Sequence, residues 1–372
     1  MDQIKIILEA YIDANILLLL ALMLWLGARL ILNHAGLRHA YTAHLRLLNL
    51  VFIAVLLSPF LTLTLGAGIN RLMPGLSVNL SDIAVAHYLS GNFAMKASEF
   101  EALLGLRAQF TDNLLVSAAP FWSGLRYLLL AGAALAVLRL GYNIRKLRQF
   151  LHGCYIWRRS GRVDLMLSDE ITIPFSARGL RRFYIVIPSA MLARPDELKL
   201  ILAHEFQHLR SGDTTWEIGL ELLRPLVFWN PGFALWKRQV ETLRELSCDQ
   251  ELTRRRGFDI RAYANCLLDV CERSLQNRRK ALSNLPAVAL LAGEISARGS
   301  RSGKALAGRI TALIEARAGK TGSVMHHLMI LPLVLALAVG ALAIRRPSDW
   351  SQDRLMLSSI INLERLEALN TN

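Results

Sequence analysis

The chain has 372 residues, of which 53% are hydrophobic and 19% are charged, and its formal net charge at pH 7 is +14. This composition excludes a disordered chain and is typical of a membrane protein. The basic excess is not accompanied by zinc-finger spacing, a helix-turn-helix signature or interleaved aromatic residues, so we expect no direct nucleic-acid partner. We attribute the positive charge to attraction between basic residues and the anionic headgroups of a lipid bilayer.

Four apolar segments are long enough to cross a bilayer, which takes about 20 residues. The first lacks the basic start and the small-residue cleavage site of a signal peptide, so we interpret it as a spanning helix. The third carries Arg126 and Arg139 near its ends, where long basic side chains can reach the headgroups. The predicted spans are residues 14–33, 47–70, 121–142 and 325–344.

The positions of Lys and Arg predict the orientation of these spans, because cytoplasmic segments are enriched in both residues. Residues 143–324 contain 30 Lys and Arg against 18 Asp and Glu, whereas residues 71–120 contain 3 against 4. All four cysteines also lie in 143–324, as expected in a reducing compartment. We therefore expect a membrane domain formed by residues 1–142 and the fourth span, with domain 143–324 on the cytoplasmic side. The 71–120 loop, the short 345–372 tail and both termini are expected on the external side.

Residues 143–324 are enough for one compact domain, and the order of their elements predicts an α+β fold. A basic helix is expected to leave the bilayer, to be followed by short extended runs and then, after Pro195, by helices. Residues 297–303 have the composition of an exposed loop. The helix is predicted over 143–162 and the extended runs over 163–167, 171–174 and 183–187.

The most informative motif is His204-Glu205-Phe206-Gln207-His208, which lies in a helix predicted over residues 196–210. Residues four apart share one helix face, so His204 and His208 can direct both imidazoles at one metal ion. Glu205 is then placed to activate a bound water, which is the arrangement of zinc metalloproteases. The alternative is a buried helix with two hydrogen-bonded histidines.

A catalytic zinc ion needs a third protein ligand, which we expect from the downstream segment Glu245-Leu246-Ser247-Cys248-Asp249. Glu245 is the preferred ligand, and Asp249, one turn later, can accept the outer N–H of a ligand histidine. Cys248 is a possible thiolate ligand, but a small packed side chain is the favoured interpretation. These carboxylates could also be ordinary surface charges on a helix.

An ordered set of short segments resembles the BlaR/MecR-type antirepressor membrane metallopeptidases. The resemblance covers roughly residues 10–345, and its Trp-Asn-Pro and Glu-Leu-x-Cys-Asp segments favour this family over the CaaX and HtpX proteases. The segments are Ile173-Pro174-Phe175-Ser176, Gly179-Leu180, Ile185-Val186-Ile187-Pro188, Ala203 to His208 with Asp213, Phe228-Trp229-Asn230-Pro231, and Arg244 to Asp249.

The resemblance implies a gluzincin-like site with one Zn²⁺ per chain, in the cytoplasmic (inner) membrane of a bacterium. His204, His208 and Glu245 would bind the metal, Glu205 would be the general base, and Asp249 would orient a ligand. Substrate would bind at Phe175, Ser176, Ala177 and Arg178, on an edge strand that captures an extended peptide. The implied partners are a cytosolic protein substrate, repressor-like or the chain itself near residues 297–303, and a signalling partner on the external side.

The family's sensors carry a penicillin-binding domain after the last span, for which residues 345–372 are too few. We therefore expect any signal to enter through the 71–120 loop, the tail or a partner. Two alternatives stay open: a quality-control protease of the HtpX kind with broad specificity, and a membrane receptor or scaffold without catalysis. The intact motif favours an enzyme, because a scaffold has no physical need for Glu205.

Overall fold

The computed structural model describes residues 2–72, 80–280, 299–315, 323–344 and 352–370. The chain forms two compact units. The first consists of Met1–Ala28, Leu48–Leu130 and Val324–Asn372, and the second of Arg29–Leu47 and Ala131–Ser323.

Among the described residues, three helices are long and apolar enough to cross a membrane: α1 (Asp2–His34), α2 (Tyr41–Leu72) and α5 (Pro120–Gly153). They contain the first three predicted spans. The fourth coincides with helix α11 (Ser323–Ile344), whose described apolar part, Ile330–Ile344, is shorter than a full span. The chain is therefore a membrane protein by its helices, and the fourth span stays a prediction.

The segment between the second and third spans contains two helices, α3 (Leu80–Leu89) and α4 (Ala97–Val116). Helix α12 (Gln352–Asn370), from the chain's C-terminal segment, packs on both through a buried cluster that joins Phe100 to Ile361. The Glu364 carboxylate also accepts hydrogen bonds from the backbone N–H groups of Ala97 (2.9 Å) and Ser98 (3.1 Å) at the start of α4. The two segments predicted to be external thus form one helical cluster.

The second unit contains a four-stranded sheet with the order β1-β2-β4-β3. Strands β1 and β2 form an antiparallel hairpin, β2 and β4 are parallel, and β3 pairs antiparallel with β4. The strands are β1 (Tyr155–Ser160), β2 (Val163–Ser168), β3 (Phe175–Arg178) and β4 (Phe183–Pro188). The extended runs predicted over 163–167 and 183–187 are β2 and β4.

Two predictions about this region are wrong. The helix predicted over 143–162 ends at Gly153, and Tyr155–Ser160 is strand β1 instead. The run 171–174 is irregular, and the neighbouring strand begins only at Phe175. Pro174 explains the shift, because proline cannot donate to a strand ladder and is confined to strand ends and edges.

In the described part of the second unit, five α-helices follow the sheet, and they begin at Pro195 as predicted. Their apolar faces bury Ile185 and Ile187 of β4 against Ile201, while Leu252, Tyr263 and Leu313 join the last three helices. Helix α10 begins at Gly299, so most of the loop expected over 297–303 is helical, and residues 297–298 lie outside the described residues. The helices are α6 (Pro195–Ser211), α7 (Asp213–Leu223), α8 (Pro231–Thr253), α9 (Ile260–Lys280) and α10 (Gly299–Glu315).

Candidate metal centre

Helix α6 places the two motif histidines on one face. Pro195 occupies its first turn, and Asp196 and Glu197 add negative charge there, where the helix dipole favours it. The Nε2 atoms of His204 and His208 lie 3.0 Å apart, with the imidazole planes nearly perpendicular at 88°. Both rings therefore direct the same nitrogen at one point.

The outer nitrogen of His208 is held by a carboxylate. His208 Nδ1 donates to Asp213 Oδ2 at 2.7 Å, and both side chains are buried. Gly212 makes this contact possible, because it ends α6 with a φ of 76° and lets α7 begin immediately with Asp213. The hydrogen bond fixes the proton of His208 on Nδ1 and leaves Nε2 with its lone pair.

The outer nitrogen of His204 is held through a tyrosine. The Tyr263 hydroxyl donates to Asp249 Oδ1 (2.7 Å), because a carboxylate can only accept, and its oxygen lies 2.8 Å from His204 Nδ1. His204 must then donate from Nδ1, so its Nε2 also carries a lone pair. Asp249 itself lies 3.7 Å from His204 Nδ1, so the contact expected between these two residues runs through Tyr263.

Helix α8 brings the Glu245 carboxylate to the same point. Glu245 Oε1 lies 3.5 Å from His208 Nε2, and Oε2 lies 3.7 Å from His204 Nε2. Three electron-pair donors thus converge at separations of 3.0–3.7 Å. Tetrahedral zinc with bonds of about 2.0–2.2 Å needs ligand atoms roughly 3.3 Å apart, so the three residues fit this metal.

Cys248 is the competing ligand. Ligand atoms of His204, His208 and Cys248 all lie within 4.8 Å of one another. The short contacts of its Sγ with His204, however, are to Nδ1 (3.3 Å) and to the backbone carbonyl (3.6 Å). Nδ1 is the nitrogen already committed to Tyr263, whereas Glu245 faces Nε2 of both histidines. Glu245 and Cys248 are therefore two candidates for the third ligand beside the same pair of histidines.

The charges of the site also call for a cation. Burial by itself would lower the pKa of His204, but Cys248 and Glu245 outweigh it and raise that pKa to about 10. Burial would raise the pKa of Glu245, yet Arg309 and the two histidines hold it well below its usual value. Cys248 and Glu245 therefore favour positive charge beside the His204 imidazole.

Glu205 lies next to His204 on α6 and is buried, with 7% of its surface exposed. The four residues predicted to bind substrate form strand β3 at one end of the sheet, which packs against α6 and α7. Ser176 and Ala177 are buried, and the Arg178 guanidinium contacts the Thr215 hydroxyl of α7. The strand thus borders the helix that carries the motif.

Sequence analysis gave no role to three residues that the fold brings to this site: Asp213, Tyr263 and Arg309. Asp213 was part of the resemblance, and its position directly after Gly212 is a usable signal in retrospect. Tyr263 and Arg309 come from α9 and α10, and no local pattern marks them. Arg309 contacts both Glu245 and Asp249.

Two histidines on one helix face, with a carboxylate from a second helix and an edge strand alongside, are typical of metallopeptidases, and the long apolar helices make this a membrane protein. A family model described as BlaR1 peptidase M56 matches residues 6–289, and the chain belongs to this family. Among curated proteins, no sequence similar to the chain was found. The match ends before α10, so Arg309 lies outside the matched residues.

Proposed function

We propose that the protein is a zinc endopeptidase with a gluzincin-like site. His204, His208 and Glu245 hold one zinc ion, and the observation that carries this assignment is the convergence of their donor atoms. Both outer imidazole nitrogens are engaged, by Asp213 and Tyr263, so only the Nε2 atoms remain for a metal. Family membership supports a metallopeptidase of this type.

A zinc ion bound there supplies a Lewis acid that lowers the pKa of water to about 7. Glu205 is the general base: its carboxylate takes a proton from the attacking water and delivers it to the leaving amide nitrogen. Strand β3 receives the substrate as an added strand, which aligns the peptide along α6. Its sequence Phe175–Arg178 fixes the register through alternating side chains.

The substrate that we propose is a repressor-like cytosolic protein, cleaved in response to a signal from the external side, and secondarily the chain itself at or close to residues 297–303. The unit that holds the metal site lies in the cytoplasm of a bacterium, and both termini lie outside its inner membrane. The packing of α12 on α3 and α4 supports a common side of the bilayer for these two segments, and the excess of Lys and Arg in residues 143–324 supports the cytoplasmic side for the metal site. A quality-control protease would share the chemistry and differ in the breadth of its substrates.

The experiment that tests the proposal is the metal content of the full chain purified in detergent. We expect about one zinc per chain in the wild type and almost none in His204→Ala or His208→Ala, since only two of the three protein ligands would remain to bind the ion. His152→Ala, an exposed histidine at the end of α5, is the matched control and keeps the metal. A wild type without zinc, or a His204→Ala variant with full zinc, contradicts the proposal.

A further inference from the structure

Helix α10 contributes a cation to the candidate metal centre, Arg309, whose side chain is 17% exposed. The guanidinium donates from Nε to Asp249 Oδ2 (2.8 Å) and from Nη2 to Asp249 Oδ1 (2.8 Å), which is a bidentate pair. Nη1 lies 3.0 Å from Glu245 Oε2, and Nη2 donates to the Tyr263 hydroxyl at 3.3 Å. One side chain therefore contacts three groups of the site.

The Arg309 guanidinium lies between two neighbouring carboxylates of α8 that would otherwise repel each other. Glu245 and Asp249 are one helical turn apart, so two carboxylates lie side by side, of which Asp249 is buried (3% exposed) and Glu245 is partly exposed (38%). Buried like charges repel strongly in a low-dielectric surrounding unless a cation lies between them. Arg309 is that cation, and its planar fork reaches both carboxylates at once.

The contacts also decide which oxygen of Glu245 is left for a metal. Arg309 Nη1 lies 3.0 Å from Oε2, closer than His204 Nε2 does at 3.7 Å, whereas Oε1 faces His208 Nε2 at 3.5 Å. A carboxylate with one oxygen held in this way coordinates through the other. Through Asp249 and the Tyr263 hydroxyl, the same guanidinium also orients His204 Nδ1.

We infer that Arg309 is a positioning residue of the metal site, which fixes Glu245 as a one-oxygen ligand and orients His204 through Asp249 and Tyr263. The inference rests on the proposed zinc site and extends it to α10, beyond the residues that match the family. With two histidines and one carboxylate oxygen as ligands, a zinc ion there would keep a position for water or substrate, as a hydrolytic zinc site requires.

The discriminating variant is Arg309→Lys, because it keeps the charge and loses only the fork that joins the two carboxylates. We expect zinc affinity, measured on the full chain in detergent by competition with a chromogenic chelator, to fall about 10-fold or more. With Co²⁺ in place of zinc, the visible d–d band should weaken, because a two-oxygen Glu245 raises the coordination number.

Two further variants test the positioning role of Arg309. Arg273→Lys is the matched control, since Arg273 forms a similar pair with Glu197 on α6 at 2.6 Å, and its zinc affinity should stay at the wild-type value. Tyr263→Phe cuts the relay to His204 without changing a charge, and its loss of affinity should add less than fully to that of Arg309→Lys. A melting curve of the chelated protein checks that each variant is folded.

A wild-type affinity and cobalt spectrum in Arg309→Lys would overturn the inference, as would complete additivity with Tyr263→Phe. A wild type that binds no zinc would instead overturn the proposed function, so the two failures are distinguishable. Tighter zinc binding in Arg309→Lys would show that the guanidinium opposes the metal, which also contradicts the positioning role.

Discussion

At the scale of single residues, the two histidines are held in the same tautomer by different hydrogen-bond partners. His208 donates directly to Asp213, whereas His204 donates to a tyrosine that passes the contact on to Asp249. In both cases the proton is held on Nδ1 and the inner nitrogen is left to bind a metal. The candidates for the third metal ligand are Glu245 and Cys248, which lie three residues apart on α8.

This choice gives a direct prediction. Glu245→Ala should lower zinc affinity by several orders of magnitude, because it removes the carboxylate that faces both Nε2 atoms. Cys248→Ser should change the affinity by less than about 10-fold, since its sulfur contacts the outer side of His204. Chelator competition on the two purified variants measures both values. If Cys248→Ser loses the metal and Glu245→Ala retains it, the ligand set is His-His-Cys.

The sequence allowed only part of this site to be predicted. His204, Glu205 and His208 are marked by their own spacing, and Glu245 and Asp249 by a segment typical of the family. Tyr263 and Arg309 could not be predicted, because they reach the site from helices 59 and 60 residues away in sequence from the groups that they contact. A single sequence has no local signal for such contacts.

At the scale of elements, α6 was predicted almost to its ends because its proline, first-turn acids and terminal glycine agree. The order of the strands in the sheet was not predicted. Strand β2 pairs in parallel with β4, although β3 lies between them in sequence, and a strand's own residues carry no signal for such long-range pairing. The helices α7 and α8 are joined by a buried ionic cluster that the sequence also did not reveal.

Lys237 of α8 lies at the centre of this cluster. Its ammonium contacts Glu221, Glu217 (3.2 Å) and Glu241 (3.4 Å). Burial would lower the pKa of Lys237, but Glu217 and Glu221 outweigh it and raise the pKa from 10.5 to about 12. A raised pKa means that the stabilisation is fully present below pH 10.5 and is lost as the pH rises through about 12.

Lys237→Met should therefore destabilise the protein, because buried Glu221 would keep only the longer contact with Arg224 (3.5 Å) and Glu217 only the contact with Arg244 (2.8 Å). A cost of about 3 kcal/mol corresponds to a fall in Tm of roughly 6–12 °C for a unit of this size. Thermal unfolding at neutral pH measures it. Lys199→Met removes an exposed lysine of α6 and is the control, with a Tm close to that of the wild type. Equal melting of both variants would show that the cluster contributes nothing.

At the scale of the whole molecule, the charge distribution and the helical cluster of α3, α4 and α12 point to one topology. We predict that Ser90→Cys, exposed between α3 and α4, reacts with an impermeant maleimide in intact cells. Ser160→Cys, exposed at the end of β1, should react only after lysis. Labelling of Ser160→Cys in intact cells would reverse the orientation and place the proposed peptidase unit outside.

The central claim is that this membrane protein hydrolyses peptide bonds with Glu205 as the base. The most direct measurement compares the newly formed protein N-termini in cells that express the wild type or Glu205→Gln at equal levels, with Glu272→Gln, an exposed carboxylate on α9, as the control. We predict that Glu205→Gln retains zinc and that its cleavage products fall by about 10²–10⁴-fold, whereas the control matches the wild type. Unchanged cleavage in Glu205→Gln, with zinc bound, would contradict the account.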